Sequence, residues 1–591
     1  MAKNKDAGTM PANENEAQQS ASANANIDVT ALRSAMFDAQ YKAGQMYAAQ
    51  LEADVKHPCE VQEELLFDLI KANENTPFGK EHNFASIKTV DDFKRLVPLT
   101  TYDDYAGYIY EAMETGKKGV VTSEEIIHFN ETSGTMGNPK GIPYTKRMSN
   151  VLMGYAGAYT QYITYKETGE ALRGGRMFTM MQCSLKTLKC GTTFGALSSK
   201  ATMDSRAFLA ATTTSPDAAV FAKSNTDVRY LHTRFAIEEP DIRDISVVFI
   251  TKLLDVMRYI ESNWQMLVHD IETGTIDPSV QLPSDVRENL EANLTPNPKR
   301  AGELRKIFEH GFNEPVVPLI WPNLVVIRSV AGGGFTSYTQ RLRRFIGNDV
   351  HILYTGYSAS EGIFSVPFEM DNPQSVMLPR SVYFEFVPTE NPDYEHTLGV
   401  EDLEVGKNYE VIITSGSGFY RYKMRDAVRC VGYKGKMPVI EFLYRIDQTI
   451  NLCGEKVTEI VLRKVADKVA ERMNLDLVDF SVYPNADTLP PGYEYLFEFF
   501  NSNRSKIDID ELKRITNEEM RAASSNVSKK LDDNVLAPLK VHILQEQTNH
   551  LWVDMRVARG NADNQIKPVH IIDTEQKRRF FFALIDEEIA G

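Results

Sequence analysis

The chain has 591 residues, more than one hydrophobic core comfortably serves, so two or more domains are expected. A hydrophobic share of 42% with 25% charged residues is that of a globular, water-soluble chain, and a net charge of −16 argues against nucleic acid or an anionic membrane as main partner. No uncharged apolar run is long enough to span a bilayer and the amino end shows no secretory pattern, so the cytoplasm is the expected location.

In chain order, residues 1–28 are rich in Ala, Asn, Gln and Ser and cannot bury enough surface to offset chain entropy, which predicts a disordered tail. Apolar spacing predicts helix from Ala31 to about Ile70, a turn-rich stretch from Asn73 to Phe84, and a capped helix start at Thr89-Val90-Asp91-Asp92-Phe93. Ile126–Phe129 reads as a short buried strand, and it leads into Thr132-Ser133-Gly134-Thr135-Met136-Gly137-Asn138-Pro139-Lys140-Gly141. Three glycines let several backbone N–H groups face one point, two hydroxyls add donors, and Lys140 adds a mobile cation, a composition suited to a polyphosphate. Pro139 stands where a Walker A loop needs glycine, so that motif is excluded.

Arg147 to about Tyr165 reads as helix, Met177–Met181 and Ile245–Ile250 as buried strands, and Lys252–Met266 as an amphipathic helix. Strands alternating with helices predict layered α/β architecture. Val325–Val330 is a strand that runs into Ala331-Gly332-Gly333-Gly334, which lacks the Gly-x-Gly-x-x-Gly spacing of a dinucleotide site. A helix with Tyr338, Leu342 and Phe345 on one side follows, then a strand Val350–Tyr354 ending at Gly356-Tyr357-Ser358-Ala359-Ser360-Glu361-Gly362. In open α/β sheets ligands sit beyond the carboxyl ends of strands, where both glycine turns fall. Further on come the strand Asn408–Ser415, the stretch Gly418–Asp426, and Tyr444–Glu455. A helix Thr458–Met473 carries Val461, Val465, Val469 and Met473 at four-residue spacing; strands Leu477–Tyr483 and Tyr495–Phe500 and a helix from about Ile509 follow. The five cysteines and eleven histidines are scattered without metal-ligand spacing.

The loop around Lys140 resembles the phosphate loop of the adenylate-forming superfamily, departing from its usual form at Met136. That resemblance implies that Ser133, Gly134, Thr135 and Gly137 hold phosphates. Tyr357 to Glu361 is similar to the superfamily's Tyr-Gly-x-Thr-Glu, implying Tyr357 on adenine, Ser358 and Ser360 beside the nucleotide, and Glu361 on Mg²⁺, which prefers hard oxygen ligands. Gly332 and Gly333 join the expected nucleotide site. Asp426 matches the aspartate that accepts both ribose hydroxyls, although Arg425 stands where glycine is usual. Arg445 matches a nucleotide-contacting arginine, and Asp447 falls at or next to the hinge.

Within the superfamily, three stretches resemble the Gretchen Hagen three family of acyl acid amido synthetases. They are Asn75–Lys80 with Val97-Pro98-Leu99, then Gly418–Asp426, and the tail Leu551–Pro568, which marks Lys567 as the carboxyl-terminal catalytic lysine. The resemblance implies a large layered α/β domain (29–445) and a smaller mobile α+β domain (446–591). It also implies ATP and Mg²⁺ as cofactors, with a small carboxylic acid and an amino acid as substrates. A carboxylate would attack the α-phosphorus of ATP, and an amine would then take the acyl group from the adenylate. Lys140, Glu361 and Lys567 are the expected catalytic residues. Two alternatives stay open: a thioester-forming relative using coenzyme A, and a nucleotide- or acid-binding protein without chemistry, suggested by Met136 and Arg425.

Overall fold

The computed structural model describes residues 28–132, 140–222, 226–446, 449–500, 507–561, 563 and 566–587. The expectations for the tail before Asp28, for Ser133, Gly134, Thr135 and Gly137, and for Asp447 therefore lie outside the described residues.

Asp28 caps the first helix, α1 (Val29–Asp54), its carboxylate accepting from the Thr30 and Ala31 amides at 2.9 and 3.1 Å. A second helix begins at Pro58, where the missing N–H costs nothing, and runs to Asn73. Thr89 and Asp92 exchange side-chain-to-backbone bonds and start the helix Val90–Leu96, as its sequence predicts. α1 lies against a continuous helical run that is α over Lys146–Val151, π over Leu152–Tyr159 and α again over Thr160–Thr168. Two glycines permit this approach: a Cβ on Gly44 would stand 2.2 Å from the Ala158 carbonyl oxygen, and one on Gly154 would stand 2.1 Å from the Tyr47 ring.

β1 (Ile126–Thr132) and β2 (Lys140–Thr145) pair antiparallel, with Thr132 opposite Lys140. β3 (Arg176–Thr179) belongs to a separate parallel sheet, while β4 (Leu185–Thr187) and β5 (Thr193–Gly195) complete the first one in the order β2-β1-β5-β4. The parallel sheet is finished by β6 (Ile242–Phe249), β7 (Val326–Val330) and β8 (His351–Tyr354), in the order β3-β6-β7-β8. Its connections are helical, including α2 (Ile250–Thr273) and α3 (Thr336–Ile346). Phe178, Ile245, Leu253, Trp321, Ile327, Leu342 and Phe345 form the core between sheet and helices.

A tight hairpin of β9 (Ser358–Ala359) and β10 (Gly362–Ile363) follows. A six-stranded antiparallel sheet comes next, built from β11 (Ser365–Pro367), β12 (Ser375–Met377), β13 (Tyr383–Pro388), β14 (Asn408–Thr414), β15 (Tyr422–Lys434) and β16 (Met437–Arg445). The last part has its own core. β17 (Thr449–Ile450) and β18 (Val457–Thr458) lead to α4 (Glu459–Met473), which packs on β19 (Leu477–Asn485), β20 (Gly492–Phe499), β21 (Lys540–Ile543) and the helix Ile509–Ala523. α4 is covered on two sides, so it buries Leu462, Val465, Ala466, Val469 and Ala470; Val461 and Met473 of the expected stripe are only partly buried. Among the described residues, no helix is long and apolar enough to cross a membrane.

The Gly44 contact is with backbone and cannot be relieved by a rotamer change. Gly44→Ala should destabilise the chain by about 1–3 kcal/mol, the usual cost of overpacking, as read from the urea midpoint; an unchanged midpoint would show that α1 shifts freely.

Candidate active site

The carboxyl ends of β6, β7 and β8 lead to Phe249, to the Gly332–Gly333 turn and to Tyr357. Gly333 has φ +57° and a Cβ there would lie 2.9 Å from the Phe442 carbonyl oxygen, so this turn tucks beneath β16. Gly332 is close to Tyr354 and Pro373.

β15 delivers Asp426 through a bulge. Glu410 of β14 pairs with Ala427 and Ile412 with Lys423, so three residues, Met424 to Asp426, oppose Val411 alone. Arg425 takes the strained position with φ +58°, which explains why glycine is the usual residue before the aspartate. Its guanidinium reaches Glu410 at 3.5 Å, and the other oxygen of Glu410 accepts from the Tyr394 hydroxyl at 2.7 Å. Asp426 is 2% exposed, accepting from the Tyr357 hydroxyl at 2.8 Å on one oxygen and from Arg445 Nε at 3.0 Å on the other. Arg445 is its register partner on β16. Asp426 is the first cause of the raised Arg445 pKa, with burial opposing it.

Tyr357 is buried, its ring packed against Phe364 and Phe442 at centroid distances of 4.8 and 5.3 Å, so most of it is already engaged by protein. Glu361 lies in the β9–β10 turn at 9% exposure, not at an open strand end. Burial raises its pKa, with the Arg445 charge opposing, and the Tyr422 hydroxyl is 3.5 Å from Oε1. Ser358 is exposed, while the Ser360 carbonyl accepts from Asn130 Nδ2 at 2.7 Å. Asn130, fully buried in β1, thus ties the strand before the glycine loop to the Glu361 turn; its Oδ1 has no partner among the described residues. Only its inward place in β1 beside Phe129 could have singled it out in the sequence.

Lys140 Nζ lies 4.7 Å from the centroid of the Tyr102 ring, and the Gly141 amide donates to the Tyr102 hydroxyl at 3.2 Å. Lys567 is exposed, and its Nζ is 5.6 Å from the Phe249 ring centroid. The surrounding protein lowers its pKa first and Arg445 second, while Asp426 and Glu459 oppose the shift. The tertiary fold therefore groups Glu361, Asp426 and Arg445, and the charges of Arg445 and Asp426 also act on Lys567.

Three family models match the chain: the GH3 family N-terminal domain over residues 47–352, the central domain over 375–445 and the C-terminal domain over 459–576. A jasmonoyl–L-amino acid synthetase, GH3.5 of Oryza sativa subsp. japonica, is 24% identical over 562 residues, covering 90% of this chain and 95% of the relative. The 4-substituted benzoates–glutamate ligase GH3.12 of Arabidopsis thaliana is 24% identical over 553 residues, with 89% and 95% covered. Among solved structures, the GH3.15 acyl acid amido synthetase superposes with a TM-score of 0.80 at 20% identity, covering 91% of this chain and 96% of that one. A 2-hydroxyisobutyryl-CoA ligase in its postadenylation state shares the broader architecture, with a TM-score of 0.52 at 12% identity and coverage of 90% and 91%. With family matches spanning most of its length, the chain belongs to the GH3, or Gretchen Hagen three, family.

Proposed function

We propose that this protein is an ATP- and Mg²⁺-dependent ligase that joins a small carboxylic acid to an amino acid through an acyl-adenylate, releasing AMP and pyrophosphate. The observation that carries the reading is the buried Asp426 carboxylate held by Arg445 and Tyr357, with Lys567 5.6 Å from the Phe249 ring at the carboxyl end of β6, groups from distant parts of the chain. Its family supports the same chemistry, since the relatives named above are amino acid synthetases and ligases. We propose the cytoplasm as its location, the expectation for a sequence with no uncharged apolar run long enough to span a bilayer.

In this reading Ser133, Gly134, Thr135 and Gly137 with Lys140 hold the phosphates, Gly332, Gly333, Tyr357, Ser358 and Ser360 border the nucleotide, and Asp426 receives the ribose hydroxyls. Among the described residues each Asp426 oxygen has one hydrogen-bond donor, which leaves a lone-pair direction on each for that purpose. Glu361 fits a magnesium ligand: it is a hard oxygen donor whose contact with the Tyr422 hydroxyl is long, at 3.5 Å. Magnesium bound there would neutralise phosphate charge. The first step brings two anions together, so Lys140, Arg445 and Lys567 lower its barrier by offsetting that charge. We take residues 29–445 as the larger domain and 446–591 as a smaller, mobile one turning near Asp447, so that Lys567 withdraws before the amine attacks.

The first test is carboxylate-dependent exchange of labelled pyrophosphate into ATP across a broad acid panel, followed by AMP release with amino acids and with coenzyme A. Amino acid dependence is expected; dependence on coenzyme A alone would make the protein a thioester ligase.

Glu361→Gln should slow exchange by about 10²–10³, the scale of losing one transition-state electrostatic partner, with partial recovery as Mg²⁺ is raised. Wild-type rates throughout a magnesium titration would remove Glu361 from the site.

Lys567→Ala should slow exchange on the same scale of about 10²–10³ yet largely spare amide formation from a chemically supplied acyl-adenylate. Equal losses in the two half-reactions would contradict a lysine delivered for one step only.

A further inference from the structure

The segment that carries Lys567 is held on both flanks by buried polar contacts that cross from the carboxyl-terminal part to the amino-terminal body. On the near side, Asp563 pairs with Lys252 Nζ at 2.7 Å, the two side chains being 16% and 9% exposed. The Asp563 amide also donates to Gln182 Oε1 at 3.0 Å. Lys252 lies in the first turn of α2, three residues after the Phe249 ring that faces Lys567.

On the far side, His570 is enclosed by Glu459, Asp479, Arg463 and Tyr338. Its Nδ1 is 2.6 Å from Glu459 and its Nε2 is 3.1 Å from Asp479. Burial and the Arg463 guanidinium work against protonation of this ring, but the two carboxylates outweigh them and its pKa is raised. Arg463 pairs with Glu459 at 3.0 Å and lies 4.9 Å from the Tyr338 ring centroid. The Tyr338 hydroxyl donates to Asp479 at 2.6 Å. Of these five groups, Tyr338 alone comes from the amino-terminal body, on α3; the other four lie on α4, β19 and the Lys567 segment itself. Arg341 and Arg344 of α3 reach Asp467 and Asp476 in the same interface, and Arg258 of α2 reaches Asp476.

We propose that Lys252 and Tyr338 are positioning residues for adenylation: they clamp the Lys567 segment from both sides and thereby fix its ammonium beside Asp426 and Arg445. The proposal rests on the ligase reading and adds to it the contacts that select the adenylating arrangement. Both contacts are polar and return to water when the parts separate, so they give geometric definition without the large apolar burial that would weld the two parts together. Apolar closure would oppose release of Lys567 for the amine step. Neither residue touches the reacting atoms in this account; each acts through Lys567.

The test uses the full chain and three variants: Tyr338→Phe, which keeps the ring, Lys252→Met, which keeps length without charge, and Lys252→Arg, which keeps charge. Tyr338→Phe and Lys252→Met should each lower the exchange rate at saturating ATP and acid by about 10- to 100-fold, as expected for a misplaced catalytic group. Amide formation from supplied acyl-adenylate should change little, and Lys252→Arg should recover most of the exchange. Hydrogen–deuterium exchange read on a peptide covering residues 560–567, which includes the Asp563 amide, should lose protection in both disabling variants. Equal loss in the two half-reactions, or unchanged protection of that peptide, would overturn the clamp. If the wild-type chain shows no acid-dependent exchange with any acid, the ligase reading fails. The deuterium measurement then decides the clamp by itself: retained protection in Tyr338→Phe and Lys252→Met overturns it, and lost protection supports it as a docking contact.

Discussion

The Asp426 carboxylate accepts from Arg445 and from Tyr357 while almost completely buried. A buried charge survives only when paired and hydrogen-bonded, so this arrangement constrains three distant pieces of backbone at once. The β15 bulge must turn the aspartate inward, β16 must end with its arginine in register, and the segment after β8 must hold the Tyr357 hydroxyl in place. The strain at Arg425 is the local cost of the bulge, and the ion pair with Glu410 offsets part of it.

Around that carboxylate the protein reverses its own average charge. The chain is strongly acidic overall, yet Arg445 pairs with Asp426 and Lys567 faces Phe249 at the carboxyl end of β6. Glu361 and Asp426 keep this region from being purely cationic, which suits a reaction in which phosphate and carboxylate charges must be offset. Exposed charges more than about a Debye length away are screened, so local placement governs the site.

The two parts of the chain meet through side chains of a different kind from those inside each part. Each has an apolar core, one built on the parallel sheet around Ile245 and Ile327 and the other on α4, β19 and β20 around Val465 and Phe480. The contacts between them include Arg258, Tyr338 and Arg341 on one side and Asp467, Asp476 and Asp479 on the other. Each part thus has an apolar core of its own, while the contacts named between them are polar or charged.

By itself the sequence determined the element types and the chemistry-bearing residues. Periodicity placed β6, β7, α3 and α4 to within a few residues, because burial of one face imposes a 2.0 or 3.6 repeat that local composition records. Short motifs nominated Lys140, Glu361, Asp426, Arg445 and Lys567, because each residue type and its neighbours suit one chemical task. Only the tertiary structure decided how such groups are partnered. The Tyr357–Asp426 bond spans 69 residues and the Tyr338–His570 contact spans 232, separations over which no local pattern carries information. The burial of Glu361, the left-handed backbone at Arg425 and the link from Asn130 to Ser360 likewise arise from packing between elements that never adjoin in the chain.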